Sequence, residues 1–158
     1  MDEKRTMLRH TVATVAYRGG KAVRGVPASF ATFEIGTPPR TPLRILSHIS
    51  DLFDWAMTIA DGAQKWVDSV PTDWDRETER FHAALARFDA RLADDAPLSE
   101  TPERLFQGPV ADALTHVGQL AMLRRLAGAN MKSENYHRAE IVTGHVGPDQ
   151  STPKREFD

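Results

Sequence analysis

Four stretches of this chain repeat their apolar residues at steps of three and four, and almost none alternates at steps of two. That periodicity confines the fold to packed helices, because only a 3.6-residue turn gathers such positions onto one face. The clearest stripe is Phe81, Ala84, Leu85, Phe88 and Leu92, which predicts a helix over Asp75–Ala93. Asp or Thr near its start, and Glu77 and Glu79 in its first turns, suit the positive end of the helix dipole.

The first stretch runs from Glu3 to Arg24 with Leu8, Val12, Val15, Gly19, Ala22 and Val26 in register. Gly25 stands where a left-handed cap belongs and Pro27 follows. Gly19 and Gly20 each cost the helix about 1 kcal/mol against alanine, so a break at "RGG" competes with the preferred reading of one helix closely packed there. The second stretch opens on Thr41 as N-cap and Pro42 as first helical residue. It carries Ile45, Leu46, Ile49, Leu52, Phe53, Ala56, Ile59 and Ala60, and stops at Gly62. The fourth begins near Pro109 and ends at Gly128, with a separate short turn expected before it at "PERLF" behind Thr101 and Pro102. "SFATFEIG" is the one strand candidate, and the tail predicts a short helix near Glu134–Val142 followed by an extended end.

The connections 25–41, 62–74 and 94–108 are longer than bundle turns need. Thirteen extended residues reach ~40 Å, more than the ~30 Å of a 20-residue helix, so successive helices need not run antiparallel. The expectation is one all-α domain over 1–158: a four-helix bundle in 3–128 and a C-terminal extension over 129–158.

A net charge of −2 offers no bulk attraction to nucleic acid or an anionic membrane. The absence of cysteine removes disulfides and thiolate metal sites, and suits a reducing compartment. "MDEKRTMLRH" is charged where a signal peptide needs an apolar core, and no apolar run reaches membrane-spanning length. These features predict a cytoplasmic protein.

Chemistry concentrates in two helices. His48 lies inside the apolar arc of the second stretch, where a buried imidazole needs a partner for its nitrogens. Asp112 and His116 stand four apart on the fourth, and Gln119 continues their stripe. Side chains at i and i+4 project in parallel, so with a third donor from a facing helix they make a metal platform. Two imidazoles and a carboxylate suit Zn²⁺, Ni²⁺ or Fe²⁺. An aspartate four residues before a histidine is also met as a plain ion pair or hydrogen-bonded couple, and Asp112 near a helix start would suit the dipole; the residues alone leave these readings open. Glu77 is a candidate fourth ligand or base, Gln119 a candidate orienting residue, and Trp55 a candidate pocket wall. Asp51 and Asp54 fall on the polar side, His10 and His82 off the apolar stripes, all four reading as solvated. His137 and His145 belong to the tail, which could reach the metal mouth.

"LRILSHISDLFDWA" together with "DALTHVGQLAMLRRLAG" resembles the DinB/YfiT-like superfamily of metalloenzymes. Members carry a histidine midway along the second helix and an H-x-x-x-H-x-G-Q segment on the last, the three histidines holding a divalent ion. His48 and His116 match two of them, and position 112 departs from the motif with an aspartate. The resemblance extends over about Met7–Gly128. It implies a left-handed bundle with an up-down-down-up path, a homodimer, and a metal site of His48, Asp112 and His116. It further implies a metal-dependent enzyme acting on a low-molecular-weight thiol as an S-transferase, or a hydrolase. A non-catalytic bundle that binds a ligand or a protein partner is the alternative.

Overall fold

The computed structural model describes residues 2–157. Four helices make the body: α1 (Glu3–Val23), α2 (Pro42–Ala60), α3 (Trp74–Ala93) and α4. α4 runs without a break through an α-turn at Pro102–Leu105, a π-segment at Phe106–Val110 and a final α-helix at Ala111–Leu126. Each of the four starts on a side chain that accepts a hydrogen bond from an otherwise orphaned amide: Asp2, Thr41, Asp73 and Thr101. Gly25, Gly62 and Gly128 follow α1, α2 and α4 with φ of +61°, +74° and +71°.

The predicted stripes form the core. Val12, Val15, Ala22, Leu46, Ile49, Phe53, Ala56, Phe81, Ala84, Leu85, Phe88 and Leu92 are fully enclosed. α1 stays helical through its glycine pair because the Phe81 ring packs onto it; a Cβ on Gly19 would stand 2.6 Å from Phe81 Cζ. A side chain larger than hydrogen would push that ring out of the core.

Polar contacts between the helices fix their directions. Along α2 and α3, Ser47 meets Arg80, Asp54 meets Arg87 and Asp61 meets Arg91, so the two run parallel. Arg5 of α1 caps the far end of α3 at Leu92 and Asp94, while Gly19 meets Phe81, so α1 and α3 are antiparallel. Lys4 pairs with Glu103 and Arg124 caps the end of α1 at Lys21 and Ala22, so α1 and α4 are parallel. The path is up-down-down-up, and the long connections are the crossovers that this path requires.

Three local expectations are corrected. The fourth helix begins at Pro102, not near Pro109: "PERLF" is its first turn, joined to the rest by the π-segment. Pro109 has no N–H to give to the carbonyl four residues back, and the wider π-turn absorbs that missing bond. "SFATFEIG" is not a strand but a 3₁₀ turn at Ala28–Thr32 and an isolated bridge between Ile35 and Arg40. Phe30 is buried there edge-on to Trp74, 5.4 Å between ring centres, which curls the segment onto the core. In the tail, the expected helix near Glu134–Val142 is reduced to a 3₁₀ turn at Tyr136–Arg138. Glu134 instead lies in β1 (Ser133–Glu134), paired antiparallel with β2 (Glu156–Phe157). Its buried carboxylate accepts hydrogen bonds from Tyr17 Oη at 2.6 Å and Lys21 Nζ at 2.7 Å, which ties the tail to α1.

Candidate metal centre

The antiparallel seam between α2 and α4 places His48 opposite Asp112 and His116. One ligand-type atom from each lies within 4.8 Å of the others, and among the described residues this is the one group of three or more such side chains. Tetrahedral donors about 2.1 Å from a shared ion lie ~3.4 Å apart, so closure on an ion needs a side-chain adjustment of up to about 1.4 Å. Because α4 begins ten residues before Asp112, that carboxylate is not in the helix's first turn, and the dipole does not account for it.

The donors are prepared in different ways. His116 is buried, and its Nδ1 lies 2.8 Å from the backbone oxygen of Asp112, one turn back. That bond puts the proton on Nδ1 and leaves the Nε2 lone pair free, the arrangement by which a ligating histidine is oriented from behind. His48 is half-buried, with its ring centre 4.6 Å from that of His116. Burial lowers its proton affinity and the neighbouring His116 lowers it further, against the opposing pull of Asp112. A neutral imidazole is the form that binds a metal. Asp112 keeps a side chain 46% exposed, with Oδ2 3.6 Å from His48 Nε2 and Oδ1 3.3 Å from His116 Nδ1. The first distance is too long for a direct hydrogen bond. Two imidazoles and one open carboxylate around a shared point are a donor set for a borderline divalent ion.

Beside the triad opens a cleft of about 550 Å³ lined by His48, Leu52, Trp55, Gln64, Trp66 and Asp112. Trp55, expected as a pocket wall, is one of its sides. Its buried Nε1 has no hydrogen-bond partner among the described residues. Trp66 lies 5.5 Å from the His48 ring and 5.8 Å from the Trp55 ring, the two indoles at 89°. No periodicity marks Trp66, since it sits in a connection; the only signal is an aromatic in a segment that must pass over a helix.

Other candidates lie elsewhere. Glu77 is buried on the α2–α3 seam, 3.4 Å from Arg80 Nη1, and is not one of the converging donors. Gln119 is half-buried one turn past His116 and does not line the cleft. The tail lies over α1 and α3, where His10 Nδ1 reaches Thr143 Oγ1 at 3.3 Å, so His137 and His145 stay away from the triad.

Two surface assignments are overturned. Asp51 is only 3% exposed: it pairs with Arg80 and accepts the Ser69 N–H at 3.0 Å. Its neighbour Asp54 is partly covered by Arg80 at 2.9 Å and Arg87 at 2.6 Å. His82 is buried beneath the tail, its Nδ1 3.4 Å from Val146 O. Both look polar-facing on a helical wheel because their covers come from distant parts of the chain.

No protein-family model, no curated protein and no solved structure matches this chain. Among the described residues, no helix is long and apolar enough to cross a membrane.

Proposed function

We infer that this protein is a divalent-metal-dependent enzyme of the DinB-like type, with His48, Asp112 and His116 holding the ion. The observation that carries this reading is the convergence of two prepared imidazoles and one carboxylate on a point open to a cleft. Three protein ligands leave coordination positions free, the mark of a catalytic rather than a structural site. A divalent ion there supplies Lewis acidity and makes a thiol or water easier to deprotonate. His116 is oriented by the Asp112 carbonyl, His48 is kept neutral by its surroundings, and Asp112 offsets one of the two positive charges. The preferred reaction class is S-transfer from a low-molecular-weight thiol, whose sulfur such an ion would help to deprotonate. A hydrolase would use the same open position for water.

The alternative, a non-catalytic bundle in which Asp112 is a structural hydrogen-bond partner, draws on the 3.3 Å approach of Asp112 to His116. The 3.6 Å gap to His48 counts against it, because a self-contained network would close that contact. The test is thiol consumption with an electrophilic acceptor such as 1-chloro-2,4-dinitrobenzene, by protein loaded with zinc, nickel or ferrous ion. Turnover in wild type that is lost in His48→Ala supports the enzyme reading. Metal uptake without turnover of thiol, ester or amide substrates supports the binding module.

A further inference from the structure

The up-down-down-up path obliges residues 61–73 to return along the whole of α2 before α3 can start beside it. This crossover has no regular structure over 63–73 and is mostly exposed, yet it is fastened to α2 at two places. The Lys65 N–H donates to Thr58 Oγ1 at 3.1 Å, and the Ser69 N–H donates to Asp51 Oδ2 at 3.0 Å. Asp51 is itself held by Arg80 of α3, and Thr58 by the Trp55 carbonyl, to which its hydroxyl donates at 2.8 Å. Four residues of crossover therefore span seven residues of helix, as an extended strand laid against α2 must: ~13 Å against ~11 Å. Trp66 sits between the two fastenings. They hold it over His48 and against Trp55, although its own side chain remains 43% exposed and adds little to the core.

We propose that Trp66, held by Thr58 and Asp51, is the specificity wall of the site: with Trp55 and Leu52 it forms a cleft for the alkyl or aryl part of a ligand whose polar head reaches the metal. The proposal rests on the metal reading above. Two indoles at right angles offer a face and an edge to a flat or branched apolar group, and Gln64 adds an amide to the lining. Thr58 and Asp51 are positioning residues: they touch the crossover and not the ligand.

The probes are acetohydroxamate and benzohydroxamate, which share a metal-binding head and differ in a methyl against a phenyl group. Both are titrated calorimetrically into zinc-loaded protein whose zinc content is measured in the same samples. Benzohydroxamate is expected to bind at least tenfold tighter to the wild type. Trp66→Ala is expected to keep its zinc and lose that preference to below threefold. Thr58→Val should lower the preference while zinc affinity stays unchanged, and Thr58→Ser, which restores the hydroxyl, should recover it. Equal affinities for the two probes in zinc-containing wild type overturn the cleft and leave the metal site standing, as does an undiminished preference in Trp66→Ala. Failure to take up zinc overturns both.

Discussion

α2 carries polar groups toward two different neighbours, and the two seams treat them oppositely. Toward α3, carboxylates are matched by arginines: Asp51, Asp54 and Glu77 surround Arg80, Arg87 also reaches Asp54, and Arg91 takes Asp61. Toward α4, His48 faces Asp112 and His116, and neither a lysine nor an arginine pairs with them among the described residues. Buried carboxylates need a cation or several hydrogen bonds to hold their charge. The α3 seam is therefore complete as protein, whereas the α4 seam gathers three side chains that could hold a divalent ion. A structural seam and a binding seam can share one helix, and what separates them is whether the polar groups are mutually satisfied.

That contrast makes opposite predictions for removing a side chain on each side. Arg80→Ala leaves Asp51 buried without its partner, and breaking such a pair costs about 3 kcal/mol. Arg80 is itself a quarter exposed, which moves the expectation to about 2 kcal/mol, read from the urea midpoint. His48→Ala should change metal-free stability far less, yet weaken zinc binding beyond the roughly 10–100-fold typical of losing an outer partner of a metal ligand. The linked readout is thermal: zinc at 100 times its Kd stabilises wild type by about 2.7 kcal/mol, and the His48→Ala melt should not respond. A fall in stability for His48→Ala as large as that for Arg80→Ala would erase the distinction between the seams.

A subtler change tests Asp112. Replacing it by histidine supplies the residue of the motif that the chain resembles. It should tighten zinc relative to magnesium, since imidazole suits zinc and carboxylate oxygen suits harder ions. Competition against a chromogenic chelator measures this, and unchanged selectivity would mean that position 112 does not touch the ion. The smallest expected effect lies away from both seams. Burial holds the His82 imidazole below its ordinary proton affinity. As pH falls below about 6.5 the unfolded chain takes up this proton before the folded one does, so the contribution is full above that pH and is lost as pH falls through the folded value. His82→Gln should therefore lose less stability than wild type between pH 7.5 and 5.5. A steeper loss in the variant would mean that the tail does not cover this residue.

The helices and their ends were legible because they depend on neighbours in sequence. Stripes at steps of three and four, Thr-Pro starts at 41–42 and 101–102, and glycines at 25, 62 and 128 all act within one or two turns. The Asp112–His116 pair was legible for the same reason, being one turn apart, and His48 stood out by breaking an otherwise apolar arc, but that the three belong together was suggested by the resemblance rather than by local spacing. What escaped depends on segments far apart in sequence. Asp51 is buried by Arg80 and a crossover 18 residues on, His82 by a tail 64 residues on, and Trp66 acquires meaning only once the helices run up-down-down-up. The continuous fourth helix escaped because a proline reads as a start locally, and only its packing against the other helices favours a π-turn over a break.

The central claim is that the α4 seam binds a divalent cation through His48, Asp112 and His116. Equilibrium dialysis of wild type and His116→Ala against zinc, nickel and ferrous ion, with both proteins checked for helical circular dichroism, tests it most directly. The account predicts one equivalent of one of these ions in folded wild type and none in folded His116→Ala. Wild type that takes up none of the three, or His116→Ala that retains its full equivalent, would contradict it.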